Sequence, residues 1–291
     1  MELVRAPFDS YESIGRRIGV SGTAIKARLT RMESDDIFFG FACGPSPAAL
    51  GLQGKLAVFA QAAGDADLDA LTRAAEVAWA SSAYPSATVA MLYRADADAP
   101  LPDALVKAAG RAPDALVTPH DPRETATRAP LSPLDWRVMR AVMDAPRAPV
   151  RDLAAATGLG ARTVRDRRDR MLAAGDLMMW PIVDATREEG AFLFSAYVGA
   201  ERAEDLRGLR VANAHRVVTH HSPPGVFFTG YVRTFAEAHV VEEKLRALPG
   251  VRDVTFSVPQ GTRVARERLA AWVDAEIKKW DQARRNPVGA R

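Results

Sequence analysis

The chain has 291 residues, 48% hydrophobic and 26% charged, which is enough apolar material for cores in more than one domain. Lysine and arginine total 39 against 36 acidic residues, a net charge of only +3, so attraction to a polyanion must come from where the arginines sit. The lone cysteine, Cys43, excludes an internal disulfide; no apolar run is long enough to cross a bilayer, and Met1 to Ser10 lacks the layout of a secretory signal, so the expected location is cytoplasmic.

In chain order, residues 1–42 predict a winged helix-turn-helix whose leading helix is cut to Met1–Arg5. Gly19 and Val20 form its corner. The following helix turns Thr23, Lys26, Ala27 and Thr30 outward, and Ile37 to Phe41 reads as the wing. Residues 54–120 then alternate strand and helix: Lys55–Ala60, the Ala-rich helix Leu68–Val77, a short strand within Trp79–Ala83, Ala87–Tyr93, the helix Leu101–Ala109 and Ala115–Thr118. That order, βαββαβ, predicts an antiparallel sheet with two helices on one face, a ferredoxin-like module. Residues 121–130, polar and proline-bounded, read as a linker.

The plan then repeats. Residues 131–184 predict a second winged helix-turn-helix: Leu134, Val138, Ala141 and Val142 make one helical face, and Pro146 with Pro149 ends it. A short helix from Val150 to Thr157 follows, then the Gly158–Leu159 corner, a third helix from Ala161 to Ala173, and a wing over Gly175–Val183. Residues 190–260 carry a second βαββαβ series, with strands at Ala191–Val198, His215–His220, Val226–Val232 and Val251–Val258 and helices at Ala203–Leu209 and Phe235–Leu248. Residues 262–285 close the chain as an amphipathic helix with the stripe Leu269, Trp272, Val273, Ile277 and Trp280, a face on which a homodimer could form.

The two helix-turn-helix segments match without a gap: Tyr11–Met32 lies over Val150–Met171 at a constant offset of 139 residues. Gly19 meets Gly158, Arg28 meets Arg167, Arg31 meets Arg170, and Ile14, Val20 and Ile25 meet Leu153, Leu159 and Val164. A self-match at that period indicates a duplicated domain. The fold class expected is α+β: two winged helix-turn-helix domains, each followed by a ferredoxin-like module.

The Ala161–Ala173 helix presents Arg162, Thr163, Arg165, Asp166, Asp169 and Arg170, a donor-rich set suited to guanine edges and phosphates in a major groove. Arg162 and Arg165, near its start, are the expected base contacts, Arg151 and Arg170 the expected phosphate contacts, and Arg168 is expected to be part-buried. Thr23, Lys26, Ala27 and Thr30 are the corresponding set in the first copy. Double-stranded DNA is therefore the expected partner. His215, His220 and His221 do not complete a ligand spacing, and no phosphate loop, nucleophile triad or carboxylate pair stands out; the expectation is no metal, no cofactor and no catalytic residue.

Val150-Arg151-Asp152-Leu153-Ala154 before Gly158-Leu159, and Thr163-Val164-Arg165-Asp166-Arg167 after it, followed by βαββαβ, resembles the leucine-responsive regulator/AsnC family. The resemblance implies a sequence-specific transcriptional regulator that pairs through its ferredoxin-like modules and responds to a small effector such as an amino acid, and so not an enzyme. Two alternatives share the architecture. One is a siroheme decarboxylase-like enzyme that would use His215, His220, Tyr231 and Arg233 on acidic tetrapyrrole side chains; the other is a dimerisation scaffold with degraded readers.

Overall fold

A computed structural model describes residues 8–60, 67–84, 87–96, 98–120, 130–184, 192–206, 209, 211, 214–221 and 224–285. The first helix-turn-helix is α1 (Tyr11–Ile18) and α2 (Gly22–Ser34), followed by β1 (Phe38–Pro45). The first sheet module is β2 (Gln53–Ala60), α3 (Leu68–Arg73), β3 (Val77–Tyr84), β4 (Ala87–Arg94), α4 (Asp103–Ala109) and β5 (Ala115–Val117), with β6 (Pro119–His120) just beyond. The second half has α5 (Pro133–Asp144), α6 (Val150–Thr157), α7 (Ala161–Ala174), β7 (Leu177–Val183), β8 (Phe192–Ala200), β9 (Ala214–His221), β10 (Pro224–Val232), α8 (Phe235–Arg246) and β11 (Val251–Val264), with a 3-10 turn at Ala203–Leu206 where the sequence predicts a helix over Ala203–Leu209. A 20-residue helix, α9 (Arg266–Arg285), ends the fold. The expected linker at 121–130 and the leading remnant Met1–Arg5 fall, but for Pro130, outside the described residues.

Local chemistry explains the helix ends. Ser132 caps α5, Pro133 opens it, and Asp135 returns a bond to the Ser132 N–H, a full capping box. Gly19 and Gly158 sit at φ 76° and 68°, the left-handed turn each corner needs. At the start of the reader helices the halves differ: the Ser21 hydroxyl accepts from the Ala24 N–H, whereas Gly160 in front of α7 offers no such cap.

The strands read as two wings pair with each other. β1 and β7 run antiparallel, from Phe38 opposite Val183 to Pro45 opposite Leu177, in one two-stranded ribbon. Ser46 N–H donates to Asp176 O at one end and Asp184 N–H to Ile37 O at the other, both at 2.8 Å. The ribbon joins the two helix-turn-helix units into one body. Beneath it a single core holds Ile14, Ile25 and Leu29 of the first unit with Trp136, Met139, Val142, Leu153, Val164 and Met171 of the second. The first unit is therefore not an independent bundle. Its corner also departs from expectation, because Ile18 and Val20 are 47% and 41% exposed where the matching Leu159 is packed against the core.

Each sheet module has the ferredoxin-like strand order, β5-β2-β4-β3 and β11-β8-β10-β9, and the two join into one nine-stranded sheet. The join is made by length. β11 pairs with β8 through its first seven residues and with β3 from Val258 to Val264, so residues 262–264, read from the sequence as helix, belong to a strand. β5 and β6 do the converse, pairing with β2 and β9. β5 and β6 are successive pieces of one run and stand at opposite ends of the strand order, so the sheet curls back on itself.

Helix α9 ties the layers together. Leu269 and Val273 are fully buried, Trp272 stacks on Tyr93 at 5.4 Å, and Ile277 packs against the shared core. A Cβ on Gly44 would lie 2.9 Å from the Leu269 side chain, so α9 packs closely on the ribbon at this glycine. Arg268 donates to the carbonyls of Thr72, Arg73 and Val77, closing the end of α3, and its burial lowers its pKa. The stripe expected as a dimer face is thus covered by the chain itself, with Trp280 left half-exposed.

Candidate nucleic-acid interface

Helix α7 is anchored by one face and free on the other. Val164 and Met171 are fully buried, while Arg162, Thr163, Arg165, Asp166, Asp169 and Arg170 are all exposed. The Arg162 side chain is 93% exposed, with Asp166 one turn away at 3.7 Å. Arg165 is exposed and has no ion pair among the described residues. Arg168 turns inward, 15% exposed, bonded to Asp169 and 5.5 Å from the Phe8 ring of the first unit. Arg151, at the start of α6, is exposed beside Asp152.

Two of the helix's five arginines have an internal partner that the sequence reading did not identify. Asp135, 2% exposed, accepts from Arg167 at 2.7 Å and from Arg170, and its other oxygen accepts from the Ser132 N–H and hydroxyl. Burial alone would raise its pKa; the bonds from Ser132 and Arg167, with the Arg170 charge, outweigh that and hold the carboxyl below its ordinary value. Arg170, expected as a phosphate contact, is exposed and also bonded to this carboxylate. The signal that could have exposed the node was the Ser132-x-x-Asp135 spacing ahead of an apolar run.

On α2, Thr23, Lys26, Ala27 and Thr30 are exposed, with Ile25 and Leu29 buried behind them. Arg28 and Arg31, which match Arg167 and Arg170 in the self-alignment, are exposed as well and have no ion pair among the described residues. The two units are fixed against each other by Arg147, which donates to Asp9 O at 2.9 Å and lies 4.5 Å over the Tyr11 ring and 5.5 Å from that of Phe41.

Elsewhere the surface carries little convergent chemistry. An open groove of about 420 Å³ between α5, α6 and α9 is lined by Arg140, Asp144, Leu153 and Ile277, with Arg140 paired to Asp144 and Asp274. In the second sheet module Tyr231 and Arg233 are exposed, while the side chains of His215, His220 and His221 lie outside the described residues. Cys43 is buried in the ribbon, and that burial raises its pKa to about 12, against a smaller opposing pull from Arg266. No described helix is long and apolar enough to cross a membrane.

A family model described as winged helix-turn-helix DNA-binding matches residues 131–175. No curated protein matches the sequence significantly. Among solved structures, siroheme decarboxylase NirDL is similar over 93% of this chain and 93% of its own, at 12% identity and a TM-score of 0.46. The same enzyme with an iron-uroporphyrin III analogue is similar over the same shares, at 10% identity and 0.44. AsnC of E. coli is similar over 44% of this chain and 91% of its own, at 19% identity and 0.29. The expectation that the chain is not an enzyme is corrected here: a solved structure similar over 93% of this chain is that of an enzyme. Residues 131–175 thus form a winged helix-turn-helix DNA-binding module, joined to ferredoxin-like modules.

Proposed function

We propose that the chain binds double-stranded DNA in the manner of a leucine-responsive/AsnC-type regulator. In this reading it is built by duplication of a helix-turn-helix plus ferredoxin-like unit, and α7 makes the base contacts. One observation carries the reading: the first turns of α7 stand clear of the protein, with Arg162 and Arg165 exposed while Val164 and Met171 fix the opposite face. An arginine there can give two parallel donors to guanine O6 and N7. Thr163 and Asp166 flank them as further edge-reading groups, and Arg151 at the start of α6 reaches the adjoining phosphates. Thr23, Lys26, Ala27 and Thr30 of α2 face a second, chemically different half-site, so the preferred operator is asymmetric. This reading concerns the helical units; the ferredoxin-like modules remain available for an effector or for a reaction of their own.

The test is selection of a duplex from a random library, followed by anisotropy titrations at one fixed salt concentration. Arg165→Ala is expected to cost about 1–3 kcal/mol on the selected duplex, roughly 5- to 150-fold, and far less on random duplex. Lys26→Ala is expected to cost less than Arg165→Ala. Equal losses on both duplexes, or failure to select any sequence, would sink the reading.

A further inference from the structure

The two reader helices differ in what holds their flanking arginines. In a helix, positions four and seven residues on from Ala24 share its side, so Arg28 and Arg31 lie along one flank of α2, just beside the buried Ile25–Leu29 face. On α7 the same flank carries Arg167 and Arg170, and there α5 supplies Asp135 against them. Among the described residues nothing supplies an acid to Arg28 or Arg31, and both are exposed. Lys26 on α2 and Arg16 on α1 are exposed on the same unit, and Glu33 and Asp35 are the acids at the far end of α2. One sequence pattern therefore gives two electrostatic outcomes: a pair on α7 that shares one internal carboxylate and an outward pair on α2.

We propose that the Arg28–Arg31 flank of α2 is a phosphate-binding surface for double-stranded DNA, adding a sequence-independent grip beside the edge-reading face of that helix, which the matching flank of α7 does not supply. The proposal rests on the DNA-binding reading and adds a division of labour to it. Guanidinium groups without an internal acid can exchange their counterions for backbone phosphates, and each such contact adds about 0.9 to the slope of log affinity against log salt. Arg170 begins with a carboxylate already bound and must leave it to do the same.

The test uses the full chain with Arg28→Gln/Arg31→Gln, both exposed positions whose replacement does not touch the core, and with Arg170→Gln for comparison. Affinity for a selected duplex and for a random one of equal length is followed from low to high salt. The double variant is expected to lower the salt slope by about 1.8 and to weaken both duplexes by the same factor, with Arg170→Gln changing the slope by less than half of one contact. An unchanged slope in the double variant, a loss confined to the selected duplex, or a slope change in Arg170→Gln as large as half that of the double variant would overturn the proposal while leaving DNA binding intact. Wild-type protein that binds neither duplex would overturn both.

Discussion

At the scale of single residues, Asp135 shows how a buried charge sets the aim of a surface helix. Its carboxylate is nearly sealed from water, and a charge in that position is tolerable only with partners on every oxygen. Ser132, Arg167 and Arg170 are those partners, so the roll of α7 about its own axis is tied to the start of α5. Asp135→Asn leaves Arg167 part-buried and uncompensated and is expected to cost about 3–5 kcal/mol of stability. The sign of the pH effect follows from the lowered pKa: the stabilisation is complete above the ordinary carboxylate value, about 4, and is lost as pH falls through the lower folded value. The gap in urea midpoint between wild type and Asp135→Asn should therefore narrow between pH 5 and pH 2.5, in round terms about the carboxylate range. A gap that holds constant across that range would refute the role given to the ionised carboxylate. The outward set on α7 was readable from spacing, because exposure on a helix follows its period. The internal use of Arg170 was not, since its partner lies 35 residues away on another helix.

At the scale of elements, the sequence identifies α9 as an amphipathic helix but not what its stripe meets. The pattern Leu269, Trp272, Val273, Ile277 is the same whether a second chain or the first one covers it. The chain covers it, by α5, the ribbon and Tyr93. Leu269→Ala is accordingly expected to lower stability by about 2–5 kcal/mol, because the cavity would open between Gly44 and Met143 where close packing limits collapse. Trp280→Ala, at a half-exposed site, is expected to change it by much less. Denaturation followed by circular dichroism separates the two, and equal effects would contradict the packing described. The wings illustrate the same limit. Ile37–Phe41 and Leu177–Val183 have strand composition, yet each lacks a hairpin partner nearby, and their mutual pairing bridges more than a hundred residues of intervening chain.

At the scale of the whole molecule, the ribbon, the shared helical core and the nine-stranded sheet each join one half to the other. Two helix-turn-helix units in a fixed relation are thus present within a single chain. Under the DNA-binding reading, one chain should suffice for one operator, with unlike half-sites under α2 and α7. Native mass spectrometry of the complex with a selected duplex is expected to show one chain per site at low protein concentration. Two chains on a palindromic site would mean that the halves do not act as a pair.

The sequence by itself determined the order of the strands and longer helices, the two corners and the internal self-match, because apolar period and turn residues are local properties of the chain. Only the tertiary structure decided that the wings form one ribbon, that β11 is long enough to serve two modules, and that α9 is an internal tie. It also decided that matching arginines on α2 and α7 face different surroundings. Those outcomes depend on which distant surfaces and charges meet, and a local pattern carries the affinity for burial or for a counter-charge without naming the partner that satisfies it.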